Sequence, residues 1–257
     1  MKIKMPTITV AINTYNEEKN IADCVVSARL LTDTILVVDM KSTDKTVAIA
    51  GRLGARIVSA PFTSYVEPAR QAAIENSDTD WVLILDADER LTPLLAAEIK
   101  TAVVSKQNTA YKVSRKNIFG KTKWLKHGGW WPDEQIRLIK KDSFRGWPKA
   151  IHSAPQIDGP MGALINPLTH FFHGDLAAMV EKTAIFEDIE SDLLFRAHRT
   201  ASTPTFFRKF AGELYRRLFA GLGFMDGQIG IIESIYQAYS KTITYLYLYE
   251  KTKSRSV

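Results

Sequence analysis

The sequence predicts an α/β fold with a mostly parallel central sheet, helices on both faces and a helical C-terminal region. Three observations lead there. Short apolar runs alternate with segments of helical spacing over the first hundred residues, polar clusters follow three of these runs, and the last third is largely helical in pattern. Apolar residues make up 46% and charged residues 24% of the 257 residues, which excludes a disordered or fibrous chain.

The strands are predicted from short apolar runs bounded by turn residues. These runs occupy residues 8–13, 35–39, 56–59 and 81–85. Each run is apolar throughout rather than alternating, so both faces of each strand are expected to be buried, as in parallel sheets. Helical spacing predicts helices over residues 17–30, 43–53 and 67–75, and a fourth one that starts at Thr92 and Pro93.

The pattern changes after about residue 110. Short strands are predicted at residues 111–115 and 135–140, among glycine, proline and tryptophan. Helices are predicted at residues 175–200, 204–222 and 228–250. We therefore expect a sheet domain over residues 1–174 and a helical region over residues 175–257, the latter serving acceptor or membrane association.

Composition also limits the setting of the protein. Cys24 is the single cysteine, which suits a reducing compartment, and no apolar run is long enough for a secretory signal or a spanning helix. We expect a cytoplasmic protein, or one on the cytoplasmic face of the inner membrane. The net charge is +6, and residues 111–150 hold 11 basic and 3 acidic residues with four tryptophans. Such a stretch suits phosphates and flat rings, or is simply a basic edge over interior tryptophans.

Three polar clusters follow strands of the predicted sheet. They lie at residues 13–17, 39–44 and 86–89. The carboxyl ends of parallel strands share one edge, where ligands of such sheets bind, so the three clusters are expected to converge.

The cluster at residues 86–89 contains two carboxylates, Asp86 and Asp88, that point to the same side of an extended backbone. Carboxylates and substrate phosphates are the ligands that Mg²⁺ or Mn²⁺ prefers, so a divalent cation is expected there. The alternative is a turn whose acids cap the next helix, because an Asp-x-Asp triplet is common by chance. The cluster at residues 13–17 similarly suits either a nucleotide or a helix cap.

The residues then resemble a known family. The segments AINTYNEEKNI, ILVVDMKSTDKTVAIAGRLGARI and DWVLILDADERL resemble the nucleotide-binding half of family 2 glycosyltransferases. The segment WWPDEQIRLIK resembles a bacterial subgroup similar to lipopolysaccharide-core β-1,4-glucosyltransferases. The resemblance covers residues 7–140 closely and the C-terminal helices loosely. It implies a GT-A fold, an inverting mechanism, a UDP-hexose donor and a saccharide or glycolipid acceptor in envelope polysaccharide or lipopolysaccharide synthesis.

The resemblance also implies roles for individual residues. It assigns the uridine side of the donor to Thr14, Tyr15, Glu17 and Asp39. It places Asp86 and Asp88 at the ribose, diphosphate and metal, with Asp88 as the direct metal ligand, and Arg70 near the nucleotide. Lys41 stands where relatives carry a small residue, and we expect it to contact phosphate or acceptor, or to change the loop.

Inversion needs a base that takes the proton of the acceptor hydroxyl. Asp133 and Glu134 are the carboxylates available in the later segment, and the family pattern favours Asp133, beside tryptophans that would raise its affinity for protons. Arg137 is expected to bind diphosphate or to orient that carboxylate. His152 is expected to complete the metal shell, although a lone histidine is more often structural.

Two other functions compete with this interpretation. A sugar nucleotidyltransferase would use a related scaffold, and a nucleic-acid-binding protein would use the basic segment 111–150, although nearby acidic clusters would repel a polyanion, so we expect no nucleic acid. The C-terminal helices interleave phenylalanine with arginine and lysine, which is typical of helices on an anionic membrane and also of helices packed on a core.

Overall fold

The computed structural model describes residues 5–63, 65–105, 107–120, 122–148, 153–172 and 176–254. The chain divides into two compact units. The first comprises residues 1–116 and 133–170, and the second comprises residues 117–132 and 171–257. We call them the sheet unit and the helical unit. The boundary expected between residues 174 and 175 stays a prediction.

The described part of the chain contains twelve strands. Their bounds are β1 Ile8–Thr14, β2 Ile35–Asp39, β3 Arg56–Ser59, β4 Trp81–Asp86, β5 Glu89–Arg90, β6 Ala110–Phe119, β7 Lys123–Trp124, β8 Asp133–Lys140, β9 Phe144–Gly146, β10 Gln156–Ile157, β11 Met161–Ala163 and β12 Leu168–His170.

Seven α-helices lie in the same described ranges. Their bounds are α1 Ile21–Ala28, α2 Thr46–Arg52, α3 Glu67–Glu75, α4 Pro93–Ser105, α5 Leu176–Arg196, α6 Thr203–Leu214 and α7 Gly227–Ser254. A π-helical turn, Tyr215–Ala220, follows α6, and a 3₁₀ turn, Gly223–Asp226, precedes α7.

The large sheet has the strand order β3-β2-β1-β4-β8-β6-β12-β5. The first four strands pair in parallel, and β8 then runs antiparallel to both β4 and β6. The predicted α/β fold is confirmed: the apolar runs near the N-terminus form the parallel half of the sheet, and the short later strands extend it.

Both faces of the parallel half are covered. Leu83 of β4 packs in a core with residues of α1 and α4, whereas its neighbour Ile84 packs in a second core with residues of α3. Both side chains have no exposed surface. Because successive residues of a strand point to opposite faces, two cores require an apolar residue at every position, which explains the continuous runs in the sequence.

The first helix starts later than its spacing predicts, at Ile21 rather than at residue 17. Residues 15–20 instead form a loop whose backbone amides donate hydrogen bonds to side chains of the segment after β2. Ser42 Oγ accepts a hydrogen bond from the Asn16 amide at 2.8 Å, and Thr46 Oγ1 accepts one from the Glu17 amide at 2.8 Å. The polar residues that resemble a helix cap therefore join two loops at the edge of the sheet.

Among the described residues, no single helix has both the length and the apolar composition needed to cross a membrane. One bent pair, Thr203–Ala220 with Gly223–Ser254, meets these criteria together, and its two parts meet at 64°.

Candidate active site

Three strands of the sheet unit end side by side in polar residues. Thr14 of β1 is in register with Asp39 of β2, and Asn13 of β1 is in register with Asp86 of β4. The three clusters that follow these strands therefore lie along one edge of the sheet, as the sequence predicts. This edge is where parallel α/β sheets bind ligands.

The centre of the edge contains polar atoms without partners in the described structure. Asn13 and Thr14 are both buried, and neither Asn13 Oδ1 nor Thr14 Oγ1 makes a hydrogen bond within the described ranges. Buried polar atoms of native proteins normally have a partner, so these two are candidates for contact with a ligand.

Asp39 holds the loop that follows β2. Its carboxylate accepts hydrogen bonds from the Ser42 amide at 3.0 and 3.3 Å. Between them lies Lys41, exposed and in the left-handed backbone region with a φ of 64°. That conformation favours glycine and explains why a small residue would be usual there. Glu17, across the loop, accepts a hydrogen bond from Asn20 at 2.7 Å.

An aromatic pair borders the same edge. The ring centroids of Tyr15 and Phe62 are 4.6 Å apart, and the two side chains are 38% and 52% exposed. Tyr15 directly follows β1 and Phe62 lies soon after β3. A partly exposed pair of rings in this position can stack on a flat ligand such as a nucleobase.

Asp86 lies between two arginines rather than facing solvent. Its Oδ2 accepts hydrogen bonds from Arg137 at 2.7 Å and from Arg70 at 3.0 Å, and Arg70 also lies 5.6 Å from the ring centre of Trp147. Burial by itself would raise the pKa of Asp86, but the charges of Arg137 and Arg70 outweigh it and hold that pKa well below its usual range. The two arginines therefore favour the ionised form of Asp86.

Glu89 extends this arrangement into the interior. Its side chain is fully buried and accepts hydrogen bonds from Arg137 at 2.5 Å and from the Asp86 backbone amide at 3.0 Å. Arg115 lies 3.6 Å from the same carboxylate. Burial lowers the pKa of Arg137, but Asp86 and Glu89 raise it above its usual value, so the buried guanidinium stays charged.

Asp133 forms the outer end of the chain of ion pairs. It accepts hydrogen bonds from Arg115 at 2.6 and 2.9 Å and from Gln135 at 3.0 Å. The sequence led us to expect neighbouring tryptophans around this carboxylate, whereas its contacts in the sheet unit are polar. Glu134 is about half exposed and lies 3.5 Å from Lys112. Of the two candidate bases, Asp133 has the shorter contacts and the less exposed side chain.

We call the alternating series of side chains that joins these contacts the ion-pair chain. It runs through Arg70, Asp86, Arg137, Glu89, Arg115 and Asp133. It links the edge of β4 to the start of β8, and it therefore fixes the candidate base relative to the Asp-x-Asp motif.

Asp88 is directed to a different neighbour. Its carboxylate lies 3.5 Å from Nε2 of His170, and both side chains are mostly buried. His170 reaches this position because β12 pairs with β5, which puts it opposite Glu89.

A divalent cation fits these residues only in part. Within the described ranges no three histidine, cysteine or acidic side chains form a group suited to a metal, and Asp86 is already bonded to two arginines. Asp88 and His170 offer two donors, which suits a cation whose other ligands are substrate phosphates and water. The predicted ligand His152 lies outside the described residues.

A cavity of about 210 Å³ lies elsewhere in the sheet unit, lined by Thr9, Thr34 and Arg56 among others. These residues stand where β1, β2 and β3 begin, at the opposite edge from the carboxylates. Ligands of parallel sheets bind beyond the carboxyl ends of the strands, so we assign the candidate site to the polar edge rather than to this cavity.

Sequence reasoning selected none of three residues of the site, Glu89, Arg115 and His170, as a functional residue. Glu89 adjoins the Asp-x-Asp motif, and its position after a buried strand was the available signal. Arg115 ends a predicted strand, but its contact with Asp133 depends on the antiparallel register of β6 and β8. His170 is more than 80 residues from Asp88 in sequence, and no local pattern joins them.

A family model decides the class of protein. The model described as Glycosyl transferase family 2 matches residues 9–160. The chain belongs to glycosyl transferase family 2. This membership favours a glycosyltransferase over the nucleotidyltransferase and the nucleic-acid-binding protein that the sequence left open.

Curated relatives of this family 2 chain agree. An uncharacterized glycosyltransferase of Rickettsia conorii is 40% identical over 104 residues, which is 40% of this chain and 36% of the relative. One from Rickettsia typhi is 40% identical over 107 residues, 42% of this chain and 36% of the relative. The matches thus span about a third of the length of these relatives.

Solved structures confirm the GT-A fold. Glucosyl-3-phosphoglycerate synthase of Mycobacterium tuberculosis in complex with phosphoglyceric acid aligns with a TM-score of 0.52 at 18% identity, covering 77% of this chain and 82% of that one. The same enzyme in complex with Mn²⁺, UDP and glucosyl-3-phosphoglycerate aligns with a TM-score of 0.50 at 18% identity, with the same coverage.

The ion-pair chain gives a direct stability test. Glu89→Gln removes a buried charge that faces Arg137 and Arg115, so we expect the free energy of unfolding to fall by about 3 kcal/mol, as for other broken buried pairs. Asp33→Asn is the control, since Asp33 is almost fully exposed and pairs with Arg29 on the surface; it should cost less than about 1 kcal/mol. Urea unfolding measures the free energy of unfolding of both variants. If both lose the same small amount, the ion pairs of Glu89 do not contribute to stability as expected.

Proposed function

We propose that this chain is an inverting, divalent-cation-dependent glycosyltransferase that moves a hexose from a UDP-hexose to a saccharide or glycolipid acceptor. The observation that carries the proposal is the parallel register that puts Thr14, Asp39 and Asp86 on one edge, with Asp88 directly after it. Family membership supports the class of reaction, and the polar and aromatic groups along this edge support binding of the donor there.

The uridine is proposed to bind at the N-terminal side of the edge. The ring pair of Tyr15 and Phe62 offers a stacking surface, and Thr14 and Asp39 offer polar atoms for base and ribose. Glu17 belongs to the same loop and positions it through Asn20. The Mycobacterium enzyme of similar fold binds UDP, which supports a uridine nucleotide as donor.

Charge balance supports a cation for the diphosphate. In the ion-pair chain three arginines face three carboxylates, so this series of side chains has no excess positive charge to offer a diphosphate. Asp88 then makes the edge acidic. A divalent cation held by Asp88 and His170 would neutralise the leaving UDP, and Lys41 adds a cation on the exposed loop. Mn²⁺ accompanies UDP in the Mycobacterium enzyme.

Asp133 is the proposed base. An inverting transfer needs a carboxylate that takes the proton of the acceptor hydroxyl while the diphosphate leaves from the opposite face of the sugar. Arg115 and Gln135 hold the carboxylate of Asp133 in a defined orientation, which a positioned proton acceptor requires. Arg137 orients this carboxylate indirectly, through Glu89 and Arg115, rather than by contact.

We further propose that the acceptor belongs to cell-envelope polysaccharide or lipopolysaccharide synthesis and that the protein works in the cytoplasm or at the cytoplasmic face of the inner membrane. The resemblance of WWPDEQIRLIK to lipopolysaccharide-core glucosyltransferases supports this acceptor class.

Donor binding tests the proposal most directly. UDP-glucose and related UDP-sugars, each with Mn²⁺, should raise the melting temperature by about 5 °C near saturation, since a ligand of the folded state stabilises it by mass action. Asp88→Asn should remove the dependence on Mn²⁺ without lowering the melting temperature of the free protein by more than about 2 °C. No shift with any UDP-sugar would overturn the donor assignment.

Turnover separates the two candidate bases. Asp133→Asn should keep donor binding and lower the rate of hexose transfer, measured as acceptor-dependent release of UDP, by about 100-fold or more, because the proton acceptor is gone. Glu134→Gln, at the neighbouring exposed position, is the matched control and should change the rate by less than about 3-fold. The opposite ranking of the two variants would move the base to Glu134.

Lys41→Gly isolates the contribution of the loop cation. Glycine suits the left-handed conformation, so the melting temperature should stay equal or rise slightly. If Lys41 binds the diphosphate, the dissociation constant for UDP should increase by about 5-fold, the effect of one exposed charged contact. Calorimetric titration with UDP measures this, and an unchanged constant would leave Lys41 with a role in the loop alone.

A further inference from the structure

The helical unit buries polar side chains and exposes apolar ones. Among the described residues of 176–254, seven polar or charged side chains are buried but only three apolar ones, Met179, Ala238 and Leu248. The same range holds seventeen of the twenty-five large hydrophobic side chains that are exposed in the described structure. Neither hydrophobic core cluster extends beyond Leu168. This distribution is the reverse of a helical subdomain that is stable in water.

Hydrogen bonds and ion pairs hold the interior of these helices together. Glu187 of α5 accepts hydrogen bonds from Ser240 and Thr244 of α7. Glu213 of α6 pairs with Arg217, and both are mostly buried. A polar cavity of about 250 Å³ lies among these side chains. In lipid, burial of apolar side chains does not drive helices together, and hydrogen bonds between polar side chains of neighbouring helices contribute to their association instead.

Small residues allow the closest approach within the unit. A methyl group on Gly230 of α7 would overlap the carbonyl oxygen of Gly223, and one on Gly223 would lie 2.5 Å from Ser234 Oγ. These two glycines therefore let the 3₁₀ turn pack tightly against the first turns of α7.

Exposed apolar side chains recur along α6, the turns that follow it and α7. On α6 and the turns that follow it, the exposed members include Phe207, Phe210, Tyr215, Phe219, Phe224 and Met225. On α7, Ile231, Ile235 and Tyr239 recur every four residues and so share one side of the helix. We call these residues together the outer apolar surface. Opposite it, Lys209 lies over the ring of Tyr245 and Glu213 bonds Arg217, so the polar side of α6 points inward.

Basic residues of the helical unit are concentrated in the sequence segment that carries part of this surface. Residues 196–225 contain six arginine or lysine residues and one acidic residue, Glu213, which is ion-paired. Residues 176–195 contain five acidic residues and one lysine. The basic residues therefore accompany the apolar segment rather than the unit as a whole.

We propose that the outer apolar surface lies in the headgroup and upper acyl region of a bilayer rich in anionic lipids, with α6 and α7 in one leaflet. Aromatic and apolar side chains beside arginines are the composition of interfacial helices, and anionic headgroups complement residues 196–225. The bend of 64° between the two parts suits helices that enter and leave one leaflet. This inference specifies how the protein would contact the membrane proposed above, and it does not depend on sugar transfer.

A second copy of the chain is the other occupant to consider. A symmetric dimer through this surface would bring the basic residues of both copies together, because the same patch faces itself. Like charges oppose such a contact, whereas an anionic bilayer attracts them. The charge distribution therefore favours lipid.

Vesicle flotation of the full chain tests the proposal. We expect binding to phosphatidylcholine vesicles that contain phosphatidylglycerol and about 10-fold weaker binding to pure phosphatidylcholine. Phe207→Asn with Met225→Asn should weaken binding by about 10-fold or more, because both side chains leave the lipid. Leu94→Asn with Ile165→Asn is the matched control, since these are the most exposed apolar side chains of the sheet unit; it should bind as the parent chain does.

Arg199→Gln with Arg208→Gln should reduce the preference for phosphatidylglycerol and its sensitivity to salt. Circular dichroism and the thermal shift with UDP report whether fold and donor site are intact in each variant, so loss of lipid binding is separated from loss of the proposed activity. The proposal is overturned if the parent chain does not float with anionic vesicles, or if the Phe207/Met225 variant floats as well as the Leu94/Ile165 control. A third outcome also overturns it: the parent chain does not bind vesicles, and ultracentrifugation shows that the parent chain and the Leu94/Ile165 control are dimers whereas the Phe207/Met225 variant is a monomer.

Discussion

The candidate site depends on a chain of alternating charges in the sheet unit. Arg137 is almost completely buried, and a buried guanidinium is tolerable only when carboxylates surround it. Asp86 and Glu89 supply those carboxylates, and Arg115 carries the alternation on to Asp133. Each member needs its neighbour, so the position of the candidate base is tied to the strand that carries the Asp-x-Asp motif. Such mutual dependence gives the orientation that a displacement reaction requires.

The two aspartates of the motif have different tasks in this structure. Asp86 is committed to Arg70 and Arg137, and its charge serves the network. Asp88 lies outside that network and beside His170, where a cation with phosphate ligands can be held. A carboxylate already bonded to two guanidinium groups is a poor metal ligand, since a cation would have to displace them. We therefore place the proposed cation at Asp88 and treat Asp86 as part of the ion-pair chain.

The sequence predicted the parts of the site that follow from local pattern. Continuous apolar runs imply a parallel sheet, and a parallel sheet implies that Thr14, Asp39 and Asp86 share an edge. What it did not predict depends on long-range pairing. The pairing of β6 with β8 brings Arg115 to Asp133, and the pairing of β12 with β5 brings His170 to Asp88. Nothing within a few residues of Asp86 distinguishes it from Asp88, because the distinction arises from arginines on α3 and β8.

The helical unit shows a second limit of pattern. The spacing of Phe207, Phe210 and Leu214 predicts an amphipathic helix, but periodicity is the same whether the apolar side faces a core or the outside. Packing decides the direction, and here Glu213 on α6 and Glu187 on α5 require polar partners among the helices. Those carboxylates bind their partners only if the polar sides of the helices meet, which leaves the apolar sides outward. Buried charged groups need partners of opposite charge or hydrogen-bonding groups, and this requirement fixes the side chains around Arg137 in the sheet unit. In the helical unit the same requirement directs the polar sides of the helices toward each other and leaves their apolar sides exposed.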